Sequence, residues 1–330
     1  MSSHETKSSG VHTQEARYCL LCGSEGNVVY KDLSDRLFSA PGTWNLRKCP
    51  SPDCELIWLD PMPMEADLAR LYETYFTHQV NPNKSPSWGS WKSLLRSSWI
   101  MLLRATRVSQ ERFSVATMYL ADHKPGKLLD VGCGSGGFLQ RMRATGWDVY
   151  GIEVDPQAGK IAQDAVGAHV HIGSLAEAAF PDDSFDAVTM NHVIEHVHDP
   201  IGILRECRRV LKPSGHLVVV TPNVNSIGHS RFQQNWYGLD PPRHLYLFSQ
   251  ATLLASVQKA GFQEYATWTT AANAETFALG SIGIRTGAIM GGAVSLRRHV
   301  AAKWFQIQAL IHQRQHPDAG EELVLVAVRL

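Results

Sequence analysis

The 330-residue sequence lacks the features of a secreted or membrane-spanning chain. Its first ten residues, MSSHETKSSG, contain no apolar signal-peptide core, and disorder is predicted for residues 1–16. The lack of a secretory signal predicts a reducing, cytoplasmic compartment. The apolar stretch 276–294 contains Arg285 and several glycines, which argues against a membrane-spanning helix.

Neither sign of charge is in excess, because 31 lysines and arginines balance 31 aspartates and glutamates. A general attraction to nucleic acid is therefore not expected. No internal repeat or low-complexity segment is present. With 44% hydrophobic residues, the composition is that of a globular protein, and the length allows one large domain or two.

What the sequence does contain is a glycine turn, KLLDVGCGSGG, at residues 127–137. The apolar run that ends at Asp130 predicts a buried strand, and helical apolar spacing begins at Phe138. Strand, glycine turn and helix are typical of a nucleotide-binding unit, in which glycines let a ligand approach the backbone. The glycines are Gly132, Gly134, Gly136 and Gly137.

The spacing of these glycines fits two cofactors. The first, second and fourth match G-x-G-x-x-G of dinucleotide-binding proteins, whereas the first three match G-x-G-x-G of S-adenosylmethionine (SAM) enzymes. A turn that binds nothing is a third interpretation. Asp130 favours SAM, because a carboxylate suits a cationic ligand better than a pyrophosphate. Glu153 ends the next predicted strand, near the ~20-residue spacing expected for an acid that binds ribose, which both cofactors carry.

Four segments then follow the order of a known family: LLDVGCGSGGFL, YGIEVDP, FPDDSFDAVTMNHVIEHVHDP and LKPSGHLVVVTPN. They resemble the successive motifs of class I SAM-dependent methyltransferases, especially the bacterial branch near the ubiquinone-biosynthesis O-methyltransferases. The segment DPPRHLYLFSQATLLASVQKAGF is also similar to that branch. The resemblance covers about residues 70–275 and the C-terminal strand.

This resemblance implies an α/β fold with a Rossmann-like, seven-stranded sheet, an antiparallel last strand and helices on both faces. It also implies SAM as the cofactor, with the corner after the third strand against the adenine. The predicted cofactor-binding residues are Asp130, Gly132, Cys133, Gly134, Gly136, Glu153, Val154, Ser174, Leu175, Asn191 and His192.

Histidines cluster in the run NHVIEH that follows the fourth predicted strand. His192, Glu195 and His196 have i, i+3, i+4 spacing and can share a helix face at the edge where ligands of open α/β sheets lie. H-x-x-E-H also matches a zinc-protease pattern, but its position after a methyltransferase strand argues against a protease.

Three interpretations of this cluster remain open. His196 or His192 acts as a general base near the acceptor. Alternatively, the trio holds a divalent ion, as the resemblance to some quinone O-methyltransferases implies, although those relatives carry Glu where this chain has His192. In the third interpretation, Glu195 and His196 only cap and orient the loop.

A second candidate for catalysis is the proline-fixed loop NWYGLDPPRH, residues 235–244. A rigid loop that carries Arg243 and His244 suits acceptor binding and proton abstraction, and His244 is the favoured base within it. Arg243 is predicted to pair with an anionic group of the acceptor. In the alternative, both residues only attach the loop to the helix that begins near Ser249.

Of the six cysteines, four form two close pairs. Cys19 and Cys22 have C-x2-C spacing, and Cys49 and Cys54 have C-x4-C spacing. In a reducing compartment this pattern predicts a structural zinc site that folds a small zinc-ribbon-like β module, residues 17–62. Free thiols in a module without metal are the alternative. Cys207 is predicted to be a packed core residue.

The remaining boundaries follow from these motifs. A helical linker or cap is predicted for residues 63–120, in which Tyr75 or His78 contacts the site. The SAM domain takes 121–272 and 321–330. A helical insert, 273–320, precedes the last strand and is predicted to be a lid, a homodimer interface or a membrane-contacting patch. The basic amphipathic stretch 88–108 and residues 276–312 are the candidates for peripheral membrane contact, although a helix covering the sheet also explains 88–108.

The sequence therefore predicts a SAM-dependent methyltransferase that acts on a small-molecule, sugar or lipid-linked acceptor, with a histidine as general base. The module architecture resembles that of sugar-modifying methyltransferases, so a sugar acceptor is favoured. The alternatives are an NAD(P)-dependent oxidoreductase and a non-catalytic SAM-fold protein with a zinc ribbon. A zinc ribbon suggests nucleic acid as a partner, but no cluster of basic residues surrounds the ribbon in this sequence.

Overall fold

The computed structural model describes residues 6–8, 10–72, 107–167, 169–287 and 294–330. Tyr75, His78 and nearly all of the basic amphipathic stretch 88–108 lie outside the described residues, so the predictions for them stay predictions. Within the described ranges, no helix combines the length and the apolar content that crossing a bilayer requires.

Residues 6–63 form antiparallel strands. They are β1 (Thr6–Ser8), β2 (Val11–Gln14), β3 (Asn27–Leu33), β4 (Trp44–Lys48), β5 (Ile57–Asp60) and β6 (Met62–Pro63). β1, β2 and β6 make a three-stranded sheet. Val11 and Thr13 of β2 are buried, because this strand pairs with β6. The prediction of disorder through residue 16 is therefore wrong for these strands.

The rest of the chain contributes a larger set of strands. They are β7 (Lys127–Val131), β8 (Asp148–Glu153), β9 (Val170–Ile172), β10 (Phe185–Asn191), β11 (Leu211–Pro222), β12 (Tyr246–Leu247), β13 (Glu264–Thr270) and β14 (Glu322–Val328). All except β12 form one sheet in the order β13-β14-β11-β10-β7-β8-β9. β14 is antiparallel to both of its neighbours, which confirms the predicted seven-stranded sheet.

The helices connect these strands. They are α1 (Arg107–Ala116), α2 (Gly137–Ala144), α3 (Pro156–Val166), α4 (Pro200–Val210), α5 (Ile227–Phe232), α6 (Gln250–Lys259), α7 (Ala274–Thr286) and α8 (Leu296–Gln315), with a 3-10 helix at Glu65–Tyr72. Ser249 caps α6 by accepting a hydrogen bond from the Thr252 amide, in agreement with the helix start predicted near this residue. The predicted helical insert is present as α7 and α8.

Side-chain alternation along the strands produces two apolar layers. On β7, Leu128 packs with Leu139 and Met142 of α2, whereas Leu129 packs in the cluster that contains Leu204 of α4 and Leu253 of α6. The sheet therefore has helices on both faces, as predicted. Its parallel strands end together at one edge, where ligands of open α/β sheets lie.

The N-terminal strands are joined to the central domain. β12, which follows the loop that carries His244, adds to β5 and gives the four-stranded sheet β12-β5-β4-β3. The buried Trp58 belongs to the same apolar cluster as Leu204 and Leu217 of the central domain. The cysteine-bearing module thus shares a sheet and a core with the central domain, and the boundary predicted at residue 62 does not separate two cores.

Candidate functional site

The glycine turn lies between β7 and α2 and uses backbone conformations that favour glycine. Gly132, Gly134 and Gly136 have φ of 74°, 54° and 80°. A Cβ at Gly132 would lie 2.5 Å from Cγ2 of Val193, whereas a Cβ at Gly134 would meet nothing within 4 Å. Gly132 is thus required by packing, and Gly134 faces open space that a ligand can use.

Glu153, at the carboxyl end of β8, lies against this turn. Its Oε2 accepts a 2.7 Å hydrogen bond from the Gly134 amide, and its Oε1 accepts one from the Asp155 amide at 2.9 Å. Burial raises the pKa of Glu153, although the two amide hydrogen bonds oppose this shift. The structure thus brings together the predicted ribose-binding carboxylate and the glycine turn.

Asp130 is a second buried carboxylate at the same edge. It accepts a 2.7 Å hydrogen bond from Oγ1 of Thr189 on β10. Burial raises the pKa of Asp130 to about 7, and the negative charge of Glu153 adds to that shift. Two buried carboxylates that disfavour each other's charge are stabilised by a cation, so they fit a ligand with a sulfonium and an ammonium group.

The predicted cofactor-binding residues beyond the glycine turn differ in exposure. Val154 leaves 70% of its surface exposed directly after Glu153, whereas Leu175 is buried. Both the amide and the hydroxyl of Ser174 donate to Oε2 of Glu177, at 2.7 and 2.8 Å. Sequence reasoning missed Glu177, although its spacing of three residues from Ser174 is typical of such a local pair. Cys133 is buried, and burial raises the pKa of its thiol.

His192 follows the exposed Asn191 at the end of β10 and has a positive φ of 55°. Its Nδ1 lies 3.2 Å from Oε1 of Glu195, and its Nε2 lies 2.8 Å from Oε1 of Glu322. Partial burial alone would lower the pKa of His192, but the hydrogen bonds and charges of these two carboxylates raise it to about 10. His192 is therefore an imidazolium at neutral pH, which does not favour it as a general base.

Glu195 completes this arrangement. Its side chain is buried, and its Oε2 accepts a 2.9 Å hydrogen bond from Oγ1 of Thr221. Burial alone would raise the pKa of Glu195, but the neighbouring histidines, His192 above all, lower it to about 2. Glu195 is therefore ionised, and it links β10 to β11.

Glu322 and Asn273 were not singled out from the sequence. Nδ2 of Asn273 donates to both carboxylate oxygens of Glu322, at 3.2 and 2.9 Å. Glu322 pairs with Pro222 across the antiparallel β11–β14 ladder, which places it at the carboxyl end of β11. The predicted antiparallel last strand already implied that its first residue lies at the ligand edge.

His196 and His244 are brought together from different segments. Their ring centroids lie 4.6 Å apart, with the rings edge to face. Nδ1 of His196 lies 3.0 Å from the Arg243 carbonyl, and Nδ1 of His244 lies 2.8 Å from the Gly238 carbonyl. Because a carbonyl only accepts, we assign a proton to Nδ1 of each ring, which leaves Nε2 as the basic nitrogen of His196. Burial and the neighbouring His244 lower the pKa of His196 to about 4.

The three residues predicted to hold a metal, His192, Glu195 and His196, do not converge on one point. His192 turns to Glu322, while Glu195, His196 and His244 each offer a ligand atom within 4.8 Å of the others. The divalent-ion interpretation therefore fits Glu195, His196 and His244 better than the run NHVIEH alone. These residues supply a carboxylate and two imidazoles, a donor set that suits several transition metals.

Arg243 is fully buried in an ion-pair network. Its Nε and Nη2 donate to the two oxygens of Asp240 at 3.0 and 2.6 Å, and its Nη1 donates to Asp35 at 2.8 Å. Its guanidinium also lies over the Phe38 ring. These contacts do not favour the predicted pairing with an anionic acceptor. They support the alternative in which Arg243 fixes the loop, here to the N-terminal module.

The four cysteines of the N-terminal module come together. The Sγ atoms of Cys19 and Cys54 lie 3.5 Å apart, those of Cys22 and Cys49 lie 3.3 Å apart, and all four lie within 4.8 Å of one another. A tetrahedral zinc with bonds of about 2.3 Å places its sulfurs about 3.8 Å apart, so this donor set fits zinc. Gly23, with φ 76°, donates to the Cys19 carbonyl and forms the turn around the first pair.

Comparisons with known proteins agree with this geometry. The family model described as a methyltransferase domain matches residues 104–266. The ubiquinone biosynthesis O-methyltransferase of Xanthomonas oryzae pv. oryzae is 39% identical over 103 residues, which are 29% of this chain and 43% of that protein. The protein of the same name from Psychrobacter arcticus is 30% identical over 212 residues, 61% of this chain and 70% of that protein. The match thus spans less than half of the first relative and about two thirds of the second.

Solved structures resemble the chain more distantly. A SAM-dependent methyltransferase from Archaeoglobus fulgidus is 19% identical with a TM-score of 0.46, covering 72% of this chain and all of that one. The Haemonchus contortus phosphoethanolamine N-methyltransferase 2 is 18% identical with a TM-score of 0.48, covering 83% of this chain and 63% of that one. The fold assignment rests on the strand order of the sheet.

Proposed function

Since the chain belongs to the class I SAM-dependent methyltransferases, we propose that it transfers the methyl group of SAM to a hydroxyl oxygen of an acceptor, with His196 as the proton acceptor. The observation that carries the proposal is that the glycine turn and the histidine segment are in contact. Val193, beside His192, packs directly on Gly132. We infer from this contact that the neutral His196, three residues further on, also borders the proposed cofactor site.

The residues that would hold SAM follow from the site. Glu153 would accept hydrogen bonds from the ribose hydroxyls, and Asp130 would compensate the positive charge of the ligand. The exposed Val154 would pack against the adenine. When bound, SAM supplies an electrophilic sulfonium methyl group. The protein then has to orient the hydroxyl in line with that methyl group and remove its proton.

Proton removal is the task proposed for His196. At neutral pH its imidazole is uncharged, so its Nε2 can take the proton of the hydroxyl while the C–O bond forms and the C–S bond breaks. S-adenosylhomocysteine is the other product. A positioned base of this kind contributes about 10²–10⁴-fold to a rate. The His192 imidazolium, held by Glu195 and Glu322, would stabilise the negative charge that develops on the acceptor oxygen.

The acceptor proposed is a phenol, either free or attached to a lipid. The relatives are named O-methyltransferases of ubiquinone biosynthesis, which supports an oxygen on an aromatic ring. The insert adds an apolar side chain beside the charged histidine, because the Phe277 ring centroid lies 6.4 Å from that of His192. An aromatic neighbour favours a planar acceptor over the sugar that the module architecture suggested.

We further propose that the four-cysteine cluster holds a structural zinc ion. The buried apolar side chains of the module, such as Trp44 and Trp58, belong to the core cluster of the central domain, and a closed four-thiolate site would stabilise the module directly. The ion would have a structural role. It would keep Asp35 of the module in place against Arg243 of the loop that carries His244.

The test is methyl transfer from radiolabelled SAM to a panel of phenols, catechols and sugars. The proposal predicts transfer to a phenolic hydroxyl, a loss of roughly 10²-fold or more in kcat for His196→Ala, and unchanged affinity for S-adenosylhomocysteine in that variant. His316→Ala, at an exposed histidine beyond α8, is the control and should keep full activity. Transfer only to sugars would overturn the acceptor, and an unchanged kcat in His196→Ala would overturn the base.

A further inference from the structure

Helix α8 carries an exposed apolar stripe that the proposed reaction does not use. The stripe consists of Leu296, Val300, Trp304, Ile307 and Ile311, which leave 78, 58, 59, 48 and 56% of their surfaces exposed. At about 100° per residue, the five side chains fall within an arc of about 80°. Clusters of exposed large apolar side chains mark interaction surfaces more often than single ones do.

The stripe is not the face by which α8 packs on the protein. Ala302, Phe305 and Ala309 are buried on the opposite side of the helix. Nε2 of Gln306 also donates to the Ala271 carbonyl at 2.6 Å, which connects the buried face to the segment between β13 and α7. The helix therefore presents one apolar face to the core and a second one outward, where a surface helix normally has polar residues.

The charges around the stripe indicate which kind of surface it can bind. The 20 residues of α8 include Arg297, Arg298, Lys303 and Arg314 and no acidic residue. Lys303 lies 3.4 Å from Glu275 of α7, whereas Arg297 and Arg314 lie exposed near the two ends of the stripe. An apolar stripe with a basic rim complements a surface that is both apolar and anionic, and the lipid–water interface of an anionic bilayer has both properties.

The same charges argue against two other occupants. The stretch 88–108 of this chain carries Lys92, Arg96, Arg104 and Arg107 and no acidic residue, so it would bring more positive charge to the stripe. A second copy of α8 would do the same. A tryptophan at the middle of the stripe also suits the lipid headgroup region, where amphipathic rings are enriched.

We propose that α8 docks the protein on an anionic lipid bilayer, lying in the plane of the interface with the stripe in the headgroup region. The helix is about 30 Å long and is braced on α7, whose Phe277 lies beside His192. Docking through α8 thus holds Phe277, which borders the proposed acceptor site, near the membrane. The surface is independent of methyl transfer, so either proposal can fail without the other.

Co-sedimentation of the full chain with vesicles tests this surface. One set of vesicles contains 30% phosphatidylglycerol in phosphatidylcholine, and the other is pure phosphatidylcholine. We expect binding to the anionic vesicles that weakens at high salt, because exposed charges are screened. The double variant Trp304→Gln/Ile307→Gln should bind about tenfold more weakly or worse, since two large apolar side chains are lost. Phe113→Gln, at an apolar residue 60% exposed on α1, is the matched control and should bind normally.

Three outcomes would overturn the proposal. The first is no binding to anionic vesicles, or binding that the double variant leaves unchanged. The second is a dimer in light scattering that the double variant dissociates, which would assign the stripe to a second copy. The third is a double variant that loses thermal stability without lipid, which would mean that the chain itself covers the stripe. Arg297→Gln/Arg314→Gln separates charge from apolar contact, and we expect it to remove most of the preference for anionic vesicles.

Discussion

Nε2 of His192 lies 2.8 Å from Oε1 of Glu322, a residue 130 positions away in the sequence. The other ring nitrogen faces Glu195, so the imidazole is held between two buried carboxylates. In this clamp His192 stays charged, whereas the neighbouring His196 stays neutral. The proposed mechanism depends on that division, because only a neutral imidazole can take a proton.

The clamp predicts the effect of Glu322→Gln. Because the folded pKa of His192, about 10, lies above its unfolded value of ~6.5, protonation stabilises the fold below pH ~6.5, and this stabilisation is lost as the pH rises through about 10. Glu322→Gln should lower the pKa of His192, which NMR titration of its ring protons measures directly. The variant should also be destabilised more at pH 7 than at pH 10. Glu275→Gln, at a carboxylate that does not touch His192, is the control, and an unchanged His192 pKa in Glu322→Gln would contradict the assignment.

Arg243→Met tests the buried ion-pair network. The substitution leaves Asp240 and Asp35 buried without their partner, so the free energy of unfolding should fall by about 3–5 kcal/mol in denaturant titrations. Arg243→Lys keeps the charge but loses the paired hydrogen bonds and should lie in between. Lys160→Met removes an exposed pair with Asp164 and should cost under ~1 kcal/mol. Normal stability of Arg243→Met together with a raised KM for the acceptor would restore the interpretation of Arg243 as an anion-binding residue.

Two glycines of the turn should respond differently to alanine. Both have positive φ, which costs an L-residue about 1–2 kcal/mol. Gly132→Ala should cost a further ~1–3 kcal/mol, because its Cβ would overlap Val193, and Val193→Ala in the same chain should recover part of that loss. Gly134→Ala should fold, because its Cβ points into open space. It should bind S-adenosylhomocysteine more weakly, because that space is the one proposed for the ligand. Equal stability of the two variants in denaturant titrations would contradict these contacts.

Metal analysis tests the cysteine cluster. The purified protein should contain about one zinc per chain, and Cys49→Ser should lose it and unfold at a lower temperature. Cys207→Ala changes a buried cysteine of α4 and should keep the metal despite its own loss of packing. Zinc content that is unaffected by Cys49→Ser, or a protein as stable in chelator as without it, would favour free thiols.

Local patterns were sufficient for the framework of this protein. The glycine turn and Glu153 follow from spacing between residues close together in the chain, whereas the seven-stranded sheet was implied by the resemblance of the motif order to the methyltransferase family. The prediction of disorder through residue 16 was wrong because it followed the polar composition of the segment. It did not take into account the alternation that buries Val11 and Thr13. A polar segment can still form strands when a partner strand is available.

Long-range pairings could not be predicted in the same way. Arg243 meets Asp35, 208 positions away, and β12 joins β5 of the cysteine module. Neither pairing leaves a trace in the local sequence, since partner choice depends on how the module packs on the central domain. For this reason the sequence predicted Arg243 as an acceptor-binding residue, although its guanidinium contacts Asp240, Asp35 and Phe38 of the protein itself.

Calorimetric titration with S-adenosylhomocysteine, with NADH in a parallel cell, distinguishes a SAM site from a dinucleotide site. We expect micromolar binding of S-adenosylhomocysteine and no heat from NADH. Glu153→Gln should bind about tenfold more weakly or worse, because its side-chain oxygen can still accept the Gly134 hydrogen bond, whereas its NH2 group cannot accept one from the Asp155 amide or from a ribose hydroxyl. His196→Ala should bind normally. Heat from NADH alone, or equal affinity of the native protein and Glu153→Gln for S-adenosylhomocysteine, would contradict the proposed cofactor site.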